Sequence, residues 1–198
     1  TGNTKDNLPN NSVHKLAEDK NGNIWGGTDN GVFRLNRKTN KFKSYGTPYQ
    51  EKWPAVFNIC CDKDGRIWAT NDYCLSVYNA AADSFEIPPA DINWLGKGIR
   101  KNGFVEGPDG KGFWLATRTG LQYYSKDEKK YFTAGNYRDS SLINKHSASA
   151  LCKTPYGHYW YVDNVDKAII GFDPISKTVK YRIKADSSGR ISYGATLF

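Results

Sequence analysis

A tryptophan recurs in this chain at Trp25, Trp68, Trp114 and Trp160, with steps of 43, 46 and 46 residues, each time inside a similar phrase. The phrases are NGNIWGGTDNGVFRL, DGRIWATNDYCLSVY, DGKGFWLATRTGLQYY and YGHYWYVDNVDKAIIGF. Each runs on through a polar turn into a further segment: NRKTNKFKSY, NAAADSFEI, SKDEKKYF and DPISKTVKYR. A period of this length marks a repeat architecture and outranks any local reading. In the first repeat, VHKLAED reads as strand a, Asn21-Gly22 as a tight hairpin turn and IWGGT as strand b. GVFRL is strand c, residues 37–40 form a second turn, and KFKSY is strand d. A four-stranded antiparallel sheet of about 45 residues cannot bury both of its faces, so such sheets must stack on one another, and radial stacking gives a β-propeller. The repeated Trp, with Ile24, Ile67 and Phe113 just before three of them, is assigned to the core between blades rather than to ligand stacking.

The expected class is therefore all-β: about four four-stranded antiparallel blades, as part of a larger propeller. Composition agrees, since 14% aromatic residues beside 19 Gly suit short strands and tight turns. The expected division is a lead-in over 1–11 and blades over 12–54, 55–98, 99–146 and 147–186, the last degenerate. Residues 187–198 are then a linker or the start of a further blade. No stretch approaches the roughly 20 apolar residues of a membrane span, the N-terminus has no signal-peptide core, and the chain has no Met. It reads as a piece of a longer polypeptide without direct membrane contact of its own. An open row of blades exposes apolar faces, so self-association or contact with further blades is expected.

LPNNSVHKLAEDKNGNIWGGTDNGVFRLNRKTNKFKSY resembles the repeat of the two-component regulator propeller family. The second repeat keeps Asp62, Asp64, Gly65, Ile67 and Trp68 of that pattern. The third keeps Asp109, Gly110, Trp114, Thr117, Gly120 and Leu121; the fourth departs from it, with Tyr156 at the turn Asp. The resemblance runs over roughly residues 8–182. It implies the periplasmic sensor region of a membrane-bound hybrid histidine kinase of the kind that detects oligosaccharides in gut Bacteroidetes. The kinase itself would lie elsewhere in the polypeptide.

Little in the chain points to catalysis. There is no nucleophile elbow, zinc-protease helix or phosphate loop. His14, His146 and His158 read as surface residues. The turn Asp residues are explained by turn formation, so no metal and no cofactor is expected. Cys60 and Cys152 occupy a small apolar repeat position shared with Ala17 and Val105, and are expected to be buried and too distant to bridge. A Cys61–Cys74 disulfide is conceivable, with reduced thiols preferred. The net charge of +8 comes without a nucleic-acid motif, so nucleic acid is set aside.

The repeats diverge most in the connections from strand d to the next strand a, GTPYQEKWPAVFN, PPADINWLGKGIRKNG and TAGNYRDSSLINKHSASA. These gather at one face and carry Tyr49, Trp53, Trp94, Lys97, Arg100, Lys101, Tyr137, Arg138 and His146. Aromatic faces for sugar rings, with cations for carboxylate or sulfate groups, suit an acidic oligosaccharide. Binding there would bias a pre-existing equilibrium between signalling states. Two other readings stay open: a propeller-type lyase or glycoside hydrolase, and a protein-interaction scaffold. The first needs converging acids, and these connections hold only Glu51, Asp91 and Asp139.

Overall fold

The computed structural model describes residues 8, 10–49, 51, 54–89, 98–133, 147–176 and 178–184. Among them there is no helix. The strands are β1 (Val13–Glu18), β2 (Ile24–Thr28), β3 (Gly31–Asn36) and β4 (Lys41–Tyr45), then β5 (Asn58–Cys61), β6 (Ile67–Thr70), β7 (Leu75–Asn79) and β8 (Ser84–Glu86). They continue as β9 (Ile99–Glu106), β10 (Gly112–Thr117), β11 (Gly120–Ser125) and β12 (Lys130–Thr133), then β13 (Ala148–Lys153), β14 (Tyr159–Asp163), β15 (Ala168–Asp173) and β16 (Thr178–Lys184). Each successive four form one antiparallel meander, the blade of a β-propeller. The chain divides into two compact units, Thr1–Ala90 and Asp91–Phe198, with two blades in each.

The turn between the first two strands of a blade fixes its register. In blade 1 the Asp19 carbonyl accepts from Gly22 N at 2.9 Å, and Asp19 N donates to the Asn23 carbonyl at 3.0 Å. The same two bonds recur between Asp62, Gly65 and Arg66, and between Thr154, Gly157 and His158. The glycines have φ of 77°, 87° and 84°, a left-handed conformation that costs other residues strain. The Asp19 carboxylate then takes the amides of Asn21 and Asn23 and the Trp25 indole N–H, the last at 2.8 Å. Asp62 holds Asp64, Arg66 and the Trp68 indole likewise. Partial burial pushes the Asp19 carboxyl up, but the bonds from Trp25, Asn23 and Asn21 outweigh it and hold it below the usual carboxylate value.

In the first unit, Trp25 is 1% exposed and lies among Tyr45, Tyr78 and Phe85, with Ile59, Ile67 and Ala69 in the same cluster. It fills the space between blades 1 and 2, as its repeat position implies. Arg34 covers its ring at 5.4 Å. At the rim of this interface Asp83 pairs with Lys43 and accepts the Tyr78 hydroxyl at 2.6 Å, which together hold its carboxyl down at about 2. In the second unit Trp114 does the same work against Tyr159, Ile170 and Phe172 of blade 4.

Trp160 is only partly buried, stacked on Tyr181 at 5.2 Å, and Leu16 on blade 1 is 57% exposed. The cysteines correct the sequence reading on this point: Cys60 is half-buried and Cys152 exposed, and all four thiols are unbridged. Cys60 pairs with Trp68 and Cys152 with Trp160, so the position lies beside the Trp as expected. The face around Trp160 is open, however, and Cys152 shares its exposure. Cys74 is the buried thiol, and burial pushes it up to about 12.

Candidate functional site

Strand a begins, strands b and c are joined, and strand d ends at the same end of each blade. Two bonds build this end repeatedly. The residue three places after each Trp caps the b–c hairpin with its own side chain: Asn30 N donates to Thr28 Oγ1, Cys74 N to Asn71 Oδ1, Thr119 N to Thr117 Oγ1 and Val165 N to Asp163 Oδ1. The next residue then donates its amide to the residue before strand a, as Asp29 N to the Ser12 carbonyl, Arg118 N to Gly98 and Asn164 N to Ser147. These bonds place His14, Arg100 and Ser149 at one equivalent position, two residues beyond Ser12, Gly98 and Ser147.

Three of the four first strands carry a bulge there. The register slips between Val13 and Lys15 in β1, between the partners of Leu115 and Thr117 in β9, and between Ser149 and Cys152 in β13. Asn102 and Ala150, inside the last two, have φ of 57° and 52°. Bulges re-aim side chains without disturbing the rest of a sheet.

The side chains so presented differ from blade to blade. In blade 1, His14 Nε2 lies 2.6 Å from Asp29 Oδ1 and its ring 5.1 Å from that of Phe57. The His14 side chain is 11% exposed and that of Asp29 52%, so the pair opens to solvent through the acid. The His14 side chain is thus largely covered by Phe57 and Asp29, where the sequence reading puts it at the surface. In blade 2, Asn58 donates to Thr70 Oγ1 at 2.8 Å, both buried. In blade 3, Arg100 Nη2 donates to Ser147 Oγ at 2.8 Å, and Lys101 beside it is exposed. In blade 4, Ser149 Oγ donates to Asn164 Oδ1 at 3.1 Å.

Of the residues proposed from sequence, Tyr49, Arg100 and Lys101 are described, while Trp53, Trp94, Lys97, Tyr137, Arg138 and His146 lie outside the described residues. Tyr49 is 44% exposed, with φ of 63°, and its ring lies 4.7 Å from that of Tyr73 in the b–c hairpin of blade 2. Asn71 Nδ2 holds this connection through the Pro48 carbonyl at 3.3 Å. Arg100 and Lys101 stand on β9 itself and not in the connection before it, since the bulge brings them into the strand. His14, Asp29 and Tyr73 were not singled out by motif or spacing. Their one available signal was their place beside the strand ends, at the end where the repeats diverge. Among the described residues no group of three or more His, Cys, Asp or Glu side chains is arranged to hold a metal ion.

Residues 7–30 match the family model of the two component regulator propeller. No curated protein sequence matches the chain. Among solved structures, the extracellular domain of a protein assigned to the hybrid two-component systems of B. thetaiotaomicron matches with TM-score 0.64 at 19% identity, over 96% of this chain and 29% of that one. A second from the same organism matches with TM-score 0.66 at 16% identity, over 94% and 24%. The chain thus spans less than a third of the length of either. Virginiamycin B lyase from Staphylococcus aureus matches with TM-score 0.64 at 17% identity, over 94% of this chain and 60% of its own. These likenesses establish the propeller fold.

Proposed function

Since the chain carries a two-component regulator propeller repeat on blades of this geometry, we propose that it is a ligand-sensing, non-catalytic module of an extracytoplasmic two-component receptor. It takes an oligosaccharide, most naturally an acidic one, at the end of the blades where strand d leads to the next strand a. One observation carries this reading. The a–b turn repeats the same backbone bonds, whereas the opposite end carries a different polar pair in each blade: His14 with Asp29, Arg100 with Ser147 and Ser149 with Asn164, and in blade 2 the buried pair Asn58 with Thr70. A scaffold held constant at one end and varied at the other is what recognition requires. On the first unit the Tyr49–Tyr73 pair offers a sugar-stacking surface, and on the second, separately, Arg100 with Lys101 offers cations for an acidic group.

The test is a thermal-shift and calorimetric screen against neutral and acidic oligosaccharides at low and high salt. Saturable stabilisation by an acidic class, weakened about tenfold by Lys101→Ala, is the expected result. Silence across the panel, or equal response to neutral sugars at all salt concentrations, overturns the acidic-glycan reading.

A lyase-type reading has one specific observation in its favour, the 2.6 Å His14–Asp29 contact, which has the form of a base and its orienting acid. Turnover by the intact chain that disappears in His14→Asn would establish it.

The partner surface is proposed at the open blade faces around Leu16 and Trp160. Further blades or a second copy would cover them. Sedimentation at rising concentration should show self-association of this chain; a clean monomer throughout counts against a second copy.

A further inference from the structure

On blade 1 the lead-in to blade 2 is seated at one corner of the sheet. Gly31 N donates to the Pro54 carbonyl and Val56 N to the Thr28 carbonyl, each at 2.8 Å, so residues 54–56 lie as an added segment along the end of strands b and c. Val56 is buried in one cluster with Val32 and Tyr45. Gly27, Val32 and Tyr45 form a cross-strand row two residues after Trp25, on the same face of the sheet. Blade 3 has the same row in Ala116 and Leu121, two residues after Trp114, and it is buried in one cluster with Ala148 and Leu151 of the first strand of blade 4. In both blades, then, aliphatic residues at the start of an incoming strand cover this row. Blade 4 repeats the row as Val162, Ile169 and Ile183, two residues after Trp160. At this corner lies a cavity of about 290 Å3, whose wall holds all three side chains together with Asp163 and Ala168, the counterparts of Thr28 and Gly31.

We infer that this cavity is a docking seat for an extended peptide segment bearing an aliphatic side chain, received as blade 1 receives Val56 and blade 3 receives Ala148. The inference rests on the partner surface proposed around Trp160 and names the chemistry of what covers it. The volume falls just below the roughly 300–1,000 Å3 of small-molecule sites. Its wall of Val162, Ile169 and Ile183 offers a sugar little, whereas one or two apolar side chains of a peptide bury well against it. Val162 stands where Gly27 lets the Val56 carbonyl pass close to the sheet, so on blade 4 the incoming backbone lies farther out and the side chain makes the decisive contact. Blade 3 shows that a Cβ at this position, that of Ala116, is compatible with such cover. Selectivity therefore lies in the one side chain that enters, as in other strand-like docking.

The probe is a synthetic peptide with the sequence of residues 51–58, EKWPAVFN, and the control is the same peptide with Val56→Asp. Titrated into the intact chain with labelled methyl groups, the peptide should give saturable nuclear magnetic resonance shifts at Ile169 and Ile183, and the control should shift neither. Ile169→Lys in the chain sets an ammonium in the aliphatic wall and should weaken binding about tenfold or more, with the far-ultraviolet circular dichroism unchanged. Should that variant unfold, Val162→Thr, which keeps the shape and adds a hydroxyl, carries the same expectation in direction. No saturable shift at the seat, shifts confined to Val32 of blade 1, equal binding of the aspartate peptide, or undiminished binding by the folded variant overturns the proposal. Sedimentation separates this result from the second-copy reading: a monomer at all concentrations that still takes the peptide keeps the seat and removes the second copy.

Discussion

Trp25→Ala should lower the stability of the first unit by about 3–5 kcal/mol, seen as an earlier urea midpoint of the transition that reports on residues 1–90. The residue is 1% exposed and touches three rings, Tyr45, Tyr78 and Phe85, contributed by both blades of the unit. Its removal leaves a void that strands on either side cannot close, because each is fixed in its own ladder. A second loss adds to the first, since the Asp19 carboxylate surrenders the indole donor at 2.8 Å. This gives the variant a distinguishing mark. Asp19 is held below its ordinary value in the folded protein. Its contribution to stability is therefore present above the unfolded carboxylate value, about 3.9, and is lost as pH falls through the lower folded value. Without Trp25 that depression shrinks, so the acid-side slope of stability against pH should flatten. A variant as acid-sensitive as the parent would show that the indole bond does not set the Asp19 charge.

Gly112→Ala should destabilise the second unit by about 3 kcal/mol or more, the upper part of what overpacking costs. A Cβ at Gly112 would fall 2.0 Å from the Tyr124 carbonyl oxygen and 2.6 Å from the Tyr123 phenol. The first obstacle is backbone, in a pair of strands registered from Gly112 with Ser125 to Thr117 with Gly120, so relief requires the hairpin to part. Gly157→Ala is the matched control. That glycine has φ of 84° and nothing within 4 Å of an added Cβ, so only the left-handed strain of about 1 kcal/mol is expected. Equal effects in the two variants would place the cost in backbone entropy and not in the close approach.

The all-β propeller class was legible in the sequence because its determinants are local and periodic. Strands β2 and β4 lie on IWGGT and KFKSY, and the Trp period marks the core between blades. The site was legible only in outline. The end where the repeats diverge could be read from the differing connections, but His14 and Asp29 are 15 residues apart and meet through a bulge that no composition rule announces. The sequence puts His14 at the surface because its cover, Phe57 and Asp29, comes from outside its own strand, and Arg100 in a connecting loop because only the bulge brings it into β9. Tyr73 carries no signal within its own repeat, because its partner Tyr49 lies in the connection from the preceding blade. Cys152 departs from expectation for the opposite reason: its position repeats faithfully, but it is exposed beside the half-buried Trp160.

The bond that ties Asp19 to Trp25 spans six positions of sequence, and its counterpart from Asp62 to Trp68 spans the same. In these two blades the bond that seats the Trp thus lies wholly inside one repeat. Duplication or loss of one such segment in a gene leaves every other segment in phase, while the tips drift separately under whatever selects them. A lineage built this way can lengthen its row first and acquire new tastes afterwards, one hairpin at a time.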